Sequence, residues 1–279
     1  MDWIVPVSTR ESTCEQLSPE TLREALTAFR EYGCILFRGL FKHSIIDAMY
    51  RDYTARYGAD DAGAMHDKAL KDPPNSILKV GEARYEIALR IDGEFGLPRV
   101  LSNGLVRQFL LPLLGKDIHL SSLTVVVSYP GSALQHIHRD YANLFEEGGI
   151  GSVLPVYAVN VAVPLIDVDI ETGPTGFWPG SHRWQSTVLP QPQTVTVEPL
   201  RRGDCLLLDY RTLHTGLPNC SRHARPIAYL VYARPWFFDE VNHRARIPLD
   251  MSLEDYAALP ESLRPLLIRA FSQAIRTRK

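Results

Sequence analysis

Cysteine is scarce in this chain, with 4 in 279 residues, at Cys14, Cys34, Cys205 and Cys220. None forms a C-x-x-C pair, so the spacing fits neither a zinc site nor the disulfide framework of a small secreted scaffold. Cys34 and Cys205 sit inside apolar runs and read as buried core residues, which makes a reducing compartment the natural expectation. Long apolar runs are missing too. No stretch approaches the roughly 20 apolar residues that a membrane-spanning helix needs. Met1-Asp2-Trp3 offers neither the basic start nor the following apolar stretch of a signal peptide. The expectation is a cytoplasmic protein with no membrane partner. An excess of positive charge is also absent: 30 Lys and Arg stand against 32 Asp and Glu, a net charge of -2. A nucleic-acid binder would show a basic footprint, so no nucleic-acid partner is expected. The short basic cluster Arg276, Arg278, Lys279 reads as a frayed terminus. No G-x-S-x-G elbow occurs, which removes the usual serine-hydrolase reading of Ser181 and His182. There is no internal repeat and no low-complexity tract.

What is present is an ordinary globular balance, 45% hydrophobic and 22% charged, in a chain long enough to bury a sizeable core. A helix is expected from Ser18, with Ser18 as N-cap, Pro19 in the first turn, Leu22, Leu26 and Phe29 on one face and Gly33 as stop. The run Cys34 to Phe37 then reads as a buried strand. A second helix is expected from Ser44 to about Tyr57. The polar stretch Gly58 to Leu78, with Gly63 and Pro73-Pro74, reads as a long loop of the kind that often forms a lid. From about residue 120, β-type runs alternate with turn signals: Leu123 to Tyr129, Val156 to Leu165, Val195 to Val197, Cys205 to Leu208 and Ile227 to Tyr232. Turns such as Gly148-Gly149 and Pro179-Gly180 separate them, a pattern that suggests a sandwich or jelly roll. Ser252 to Asp255 is a capping-box pattern opening short C-terminal helices divided by Pro260 and Pro265. The expected organisation is a single domain over residues 1–279. It has a helical N-terminal part (about 1–115), a jelly-roll core (about 116–240) and C-terminal helices (about 250–275).

The chemistry centres on Gln135-His136-Ile137-His138-Arg139-Asp140. On a strand, His138 and Asp140 point to the same face, so an imidazole and a carboxylate converge. His214, in Leu213-His214-Thr215-Gly216 beside a turn, is the candidate third ligand. Two histidines and one carboxylate make the facial triad of non-haem iron(II) oxygenases, which leaves positions open for a co-substrate and oxygen. The triplet alone reads first as a surface His-Asp pair that only hydrogen-bonds. Arg225 changes the balance. It lies eleven residues after His214 and opens the last strong β run, where it can grip a carboxylate with two parallel hydrogen bonds. Other residues carry weaker readings. His182 reads as structural after its Pro-Gly-Ser turn, with a lesser role in orienting the site as the alternative. His66 reads as solvated. Tyr141 and Phe145 fit pocket or core equally. Asp167, Asp169 and Glu171 lack the spacing of a calcium loop and read as a solvated edge.

Together these pieces resemble the phytanoyl-CoA dioxygenase-like family of 2-oxoglutarate oxygenases. The matching segments fall in order: Gln135-x-x-His138-Arg139-Asp140, the stretch Glu171 to His182 with its Pro179-Gly180-Ser181-His182 signature, His214-x-Gly216-x-x-Asn219-x-Ser221, and Arg225. Ala83-Arg84-Tyr85-Glu86 and Gly33 to Phe41 also resemble family segments. The resemblance implies a mainly β fold, a double-stranded β-helix (a cupin-like jelly roll) with flanking α-helices. It implies iron(II) on His138, Asp140 and His214, and 2-oxoglutarate with its distal carboxylate on Arg225. Gln135, Thr172 and Arg84 match positions that assist co-substrate binding, and His136 could take part of the work of Gln135. It implies oxidation of a C–H bond of a small organic substrate, by hydroxylation, desaturation or cyclisation. Dioxygen is consumed, succinate and carbon dioxide are released, and the setting by analogy is secondary metabolism. Because Asp140 is a carboxylate, halogenation is not expected. Two rivals stand beside this reading: a jelly-roll protein that binds metal or 2-oxoglutarate without turnover, and a zinc-dependent hydrolase on the same three ligands. Substrate identity and oligomeric state are not legible.

Overall fold

The computed structural model describes residues 2–73, 75–141, 144–145, 150–151, 153–185, 188, 190–244 and 246–276. Pro74, the Gly148-Gly149 turn with much of the loop around it, and Arg278 and Lys279 of the basic tail lie outside the described residues.

The chain adopts the expected jelly-roll fold. Its larger sheet has eight strands in the order β1 (Ile4–Pro6), β2 (Cys34–Arg38), β9 (Cys205–Asp209), β6 (Ala158–Pro164), β11 (Arg225–Ala233), β5 (His119–Ser128), β4 (Arg84–Ala88) and β3 (Ile77–Gly81). All neighbours are antiparallel except β1 and β2. A smaller antiparallel sheet holds β10 (His214–Gly216), β7 (Thr175–Phe177) and β8 (Thr196–Val197).

Alternation along the strands gives the larger sheet two different faces. On β5, Leu123, Val125 and Val127 enter the main apolar core, as do Ala228 and Leu230 on β11. Helices α2 (Pro19–Tyr32), α3 (His43–Tyr57) and α6 (Gly104–Leu114) supply Phe29, Met49 and Phe109 to that core. The intervening residues Thr124, Val126, Arg225 and Tyr229 face a cavity between the two sheets.

Local signals account for most helix ends. Ser18 accepts from the Thr21 N–H, Pro19 occupies the first turn, and Gly33 closes α2 in the left-handed region. Ser252 and Asp255 form the anticipated capping box of α7 (Leu253–Ala258). The stretch Gly58 to Leu78 departs from the loop reading. It contains α4 (Ala62–Lys71), capped by Asp61, and runs into β3. Only Met65 of α4 is buried, so the helix lacks the apolar stripe that would reveal it. Among the described residues, no helix is long and apolar enough to cross a membrane. Cys34 and Cys205 are fully buried, and Cys14 and Cys220 are exposed free thiols.

Candidate active site

The segment from Gln135 to Asp140 runs antiparallel to β10. The His138 N–H donates to the His214 carbonyl (3.0 Å), the His214 N–H donates back (2.9 Å), and the Gln135 N–H donates to the Gly216 carbonyl (2.9 Å). Directly opposed residues project to one side, and the two imidazole centroids lie 4.3 Å apart. Asp140, two residues after His138, returns to that side. Arg139 points the other way and donates to the carbonyls of Arg211 and Ser181 (2.9 and 3.3 Å). His138 Nδ1 donates to the His136 carbonyl (2.9 Å) and His214 Nδ1 to the Thr212 carbonyl (3.0 Å), which orients each Nε2 toward the cavity. Asp140 Oδ1 stands 3.4 Å from His214 Nε2, and one ligand atom from each of the three side chains falls within 4.8 Å of the others.

The electrostatics suit a cation. Burial, reinforced by His214, pushes His138 down to about 4, so its imidazole is neutral near pH 7. Burial opposes charge on Asp140, yet His214 and the Asn160 hydrogen bond hold its carboxyl below the ordinary range. His214 is raised, since Asp140 outweighs its burial.

A second feature lies at the far end of β5. Arg84 on β4 and Arg225 on β11 are both in register with Ser128. Ser128 Oγ accepts from Arg84 Nε and from Arg225 Nη2, each at 2.8 Å. Both residues are 1% exposed, and neither has an acidic partner among the described residues. Burial, with Arg225 alongside, lowers Arg84 to about 10, and burial lowers Arg225 too. Arg84 is held by the carbonyls of Ala133 and Leu217 (3.1 and 3.0 Å). Arg225 Nε is buried with no partner. Two adjacent buried cations are costly without an anion, and a dicarboxylate entering the cavity would satisfy them. The residues therefore fit both a metal ion and an anionic co-substrate.

Packing around β10 keeps this row in place. A Cβ on Gly216 would lie 2.9 Å from both Arg84 Nη1 and Gln135 Oε1. A Cβ on Gly173, which has φ of +77°, would lie 2.3 Å from the Pro218 carbonyl oxygen, so the Gly173-Pro174 turn can dock just after β10 only as glycine. Ser181 Oγ accepts from the Leu213 N–H (2.9 Å), and a Cβ on Gly33 would overlap the His182 ring. Ser181 thus braces the entry to the strand that carries His214, while His182 packs on Gly33 with its Nε2 3.3 Å from the Arg30 carbonyl. Crowding at Gly216 leads to a prediction. Gly216→Ala lowers affinity for 2-oxoglutarate by about tenfold through overpacking. Titration of the iron-loaded protein measures this, and an unchanged affinity would remove Gly216 from the account.

Comparison with known proteins bears on this geometry. Residues 29–227 match the phytanoyl-CoA dioxygenase (PhyH) family. The chain belongs to that family. Dioxygenase aneA of Aspergillus aculeatus is 34% identical over 130 residues, 44% of this chain and 43% of that protein, so the match spans less than half of it. Multifunctional dioxygenase ausE of Emericella nidulans is 24% identical over 226 residues, 76% of this chain and 73% of that protein. Among solved structures, the epimerase SnoN in complex with Fe3+, alpha ketoglutarate and nogalamycin RO superimposes with a TM-score of 0.56 at 21% identity, covering 83% of this chain and 94% of SnoN. The last likeness shows the shared fold. This family member is an oxidoreductase of the dioxygenase class.

The dioxygenase cavity, about 620 Å³, is lined by His138, Asp140, His214, Arg225, Arg84, Gln135 and His136. Thr172 is not among its lining residues. Its hydroxyl is engaged in a turn with Asp169, donating to the Asp169 carbonyl (3.0 Å). Thr175, three residues on, lines the cavity instead. His66 is exposed on α4, and Tyr141 packs on Phe237 with centroids 5.2 Å apart.

Several residues at the site carried no reading from sequence. Asn160 donates to Asp140 Oδ2 (2.9 Å), and its own Oδ1 is buried without a partner. An asparagine inside the apolar run Val159 to Val163 was the available signal. Asn242 donates to the Asp140 carbonyl (2.7 Å) and to Asp239 (2.8 Å), and Asp239 accepts from Tyr210 (2.9 Å). Glu86, two residues after Arg84 on the same face, faces the cavity and pairs with Arg246 at 3.1 Å.

Proposed function

We propose that this dioxygenase oxidises an unactivated C–H bond of a small organic substrate, with release of succinate and carbon dioxide. One observation carries the reading: three convergent ligand atoms share a cavity with the buried, acid-free pair Arg84 and Arg225. In this reading His138, Asp140 and His214 hold iron(II), and Arg225 takes the distal carboxylate of 2-oxoglutarate. Arg84 and Gln135 flank that carboxylate. Thr172 acts through its turn and makes no contact with the co-substrate. When bound, iron(II) and the keto acid together activate dioxygen and supply the oxidising power for C–H cleavage.

The chain's own residues do the rest. The carbonyls of His136 and Thr212 keep both imidazoles donating away from the metal, so each presents Nε2. Asn160 occupies Asp140 Oδ2 and so leaves Oδ1 on the His214 side free to ligate. The cavity walls exclude water from the reacting carbon and orient it. Hydroxylation, desaturation and cyclisation all fit this arrangement. Two structural neighbours, the epimerase SnoN and the carbocyclase SnoK, come from nogalamycin biosynthesis, which supports a secondary-metabolite substrate. A single domain over residues 1–279, a cytoplasmic location, and no nucleic-acid or membrane partner complete the proposal.

The test is stoichiometry. Purified protein with iron(II), 2-oxoglutarate and air should form succinate in step with oxygen consumed, and metal removal should stop both. Hydrolytic activity with zinc in the absence of oxygen, or binding of 2-oxoglutarate with no succinate formed, would overturn it.

A further inference from the structure

A second cavity, of about 350 Å³, adjoins the first and shares His243, Arg246 and Pro248 with it. It lies at the other end of β5 from Ser128, across a strand of ten residues that extends roughly 30 Å. A register shift opposite Val231 and Tyr232 leaves Ser121 as an extra residue in β5. This bulge brings His119 and Ser121 onto the side that Ser122, Thr124 and Val126 present to the main cavity. One continuous face therefore runs from the Arg84 and Arg225 row, past the triad, to His119.

The lining of the second cavity is basic. His119, His243, Arg246 and Arg269 contribute, and among the described residues no Asp or Glu does. Arg269 lies over the Phe238 ring at 5.5 Å and donates to the Pro235 carbonyl (2.9 Å), with no acidic partner among the described residues. Arg246 is shared with Glu86 at the junction of the two cavities. His119 is 3% exposed yet makes no side-chain hydrogen bond among the described residues, and His243 Nδ1 is buried and unpartnered. Burial, with Arg269 and His243 nearby, pushes His119 down to about 4, so its ring is neutral and keeps one N–H to donate. A buried histidine nitrogen with no partner among the described residues, in a cavity lined by two arginines and a second histidine, marks a missing ligand.

We propose that this cavity is a substrate subsite for an oxyanion, a carboxylate or a phosphate, held by Arg269, Arg246 and His119 while the oxidisable carbon lies in the main cavity. The inference rests on the oxygenase reading and narrows its substrate class to acidic molecules with an apolar portion against Phe238 and Leu249. Its anion is separate from that of 2-oxoglutarate, which belongs at the opposite end of β5.

Benzoate, phenyl phosphate and uncharged benzyl alcohol are titrated calorimetrically into anaerobic protein saturated with iron(II) and 2-oxoglutarate. At least one anion binds and benzyl alcohol does not, and the stronger of the two identifies carboxylate or phosphate as the recognised group. Arg269→Gln weakens that binding by about tenfold or more, and Arg269→Lys retains most of it. The iron–keto-acid absorption band stays unchanged in both variants, which shows that the fold and the co-substrate site are intact. Binding of neither anion, equal binding of benzyl alcohol, or binding indifferent to Arg269→Gln would overturn the subsite. Failure of the oxygenase reading is distinguishable, because it shows as absence of that band in the unaltered protein.

Discussion

His214→Ala abolishes 2-oxoglutarate turnover. In the proposed reading the side chain supplies one of the three convergent ligands found among the described residues, and it cannot be replaced from its own strand, since Thr215 and Gly216 follow it on β10. Removing even an outer partner of a metal site commonly lowers activity by about 10–100-fold, so loss of a ligand exceeds about 100-fold. The fold survives, because β10 is paired to His138 through backbone bonds that alanine retains. Succinate formation at low iron measures the effect, with circular dichroism confirming the fold. Full turnover in this variant would remove His214 from the site. Asn160→Ala is the graded counterpart. It frees Asp140 Oδ2, and activity falls by about tenfold or more while the three ligands remain.

Arg225→Gln is expected to act in two directions at once. Arg225 is 1% exposed, donates to Ser128 Oγ and sits beside a second buried cation. Without an anion this arrangement is a burden on the fold, so the variant melts no lower than the unaltered protein when both lack ligand. With 2-oxoglutarate the order reverses. Losing one partner of a buried charge pair costs about 2–5 kcal/mol, so co-substrate affinity falls by about 30-fold or more. Thermal melts with and without 2-oxoglutarate read both effects. A variant that 2-oxoglutarate still stabilises fully would place the distal carboxylate elsewhere.

The parts of the site visible in the sequence were those set by short spacing. Strand alternation puts His138 and Asp140 on one face, but the triplet acquires a metal reading only beside Arg225, eleven residues after His214, and the family-like segments. The strands followed from apolar runs, although β5 begins four residues before Leu123 because its bulge at Ser121 breaks the alternation. What was hidden depends on register between distant strands. Arg84 and Arg225 are neighbours only because β4 and β11 flank β5 at Ser128. The bracing of Asp140 by Asn160 and Asn242 spans 20 and 102 residues of sequence. Thr172 shows the opposite limit. A matching motif position suggests a co-substrate contact, but only the turn's internal hydrogen bonds reveal that its hydroxyl is already engaged. The polar helix α4 was missed for want of a buried stripe, and the structure finds β3 at its end contributing Leu78, Lys79 and Val80 to the cavity.

The most direct test is an anaerobic visible spectrum of the purified protein mixed with iron(II) and 2-oxoglutarate. A weak charge-transfer band that requires both additions, and disappears in His138→Ala, is the predicted result, because it reports the keto acid on protein-bound iron. Folded, metal-loaded protein that shows no such band would contradict the assignment of His138, Asp140 and His214 as an iron centre beside a 2-oxoglutarate site.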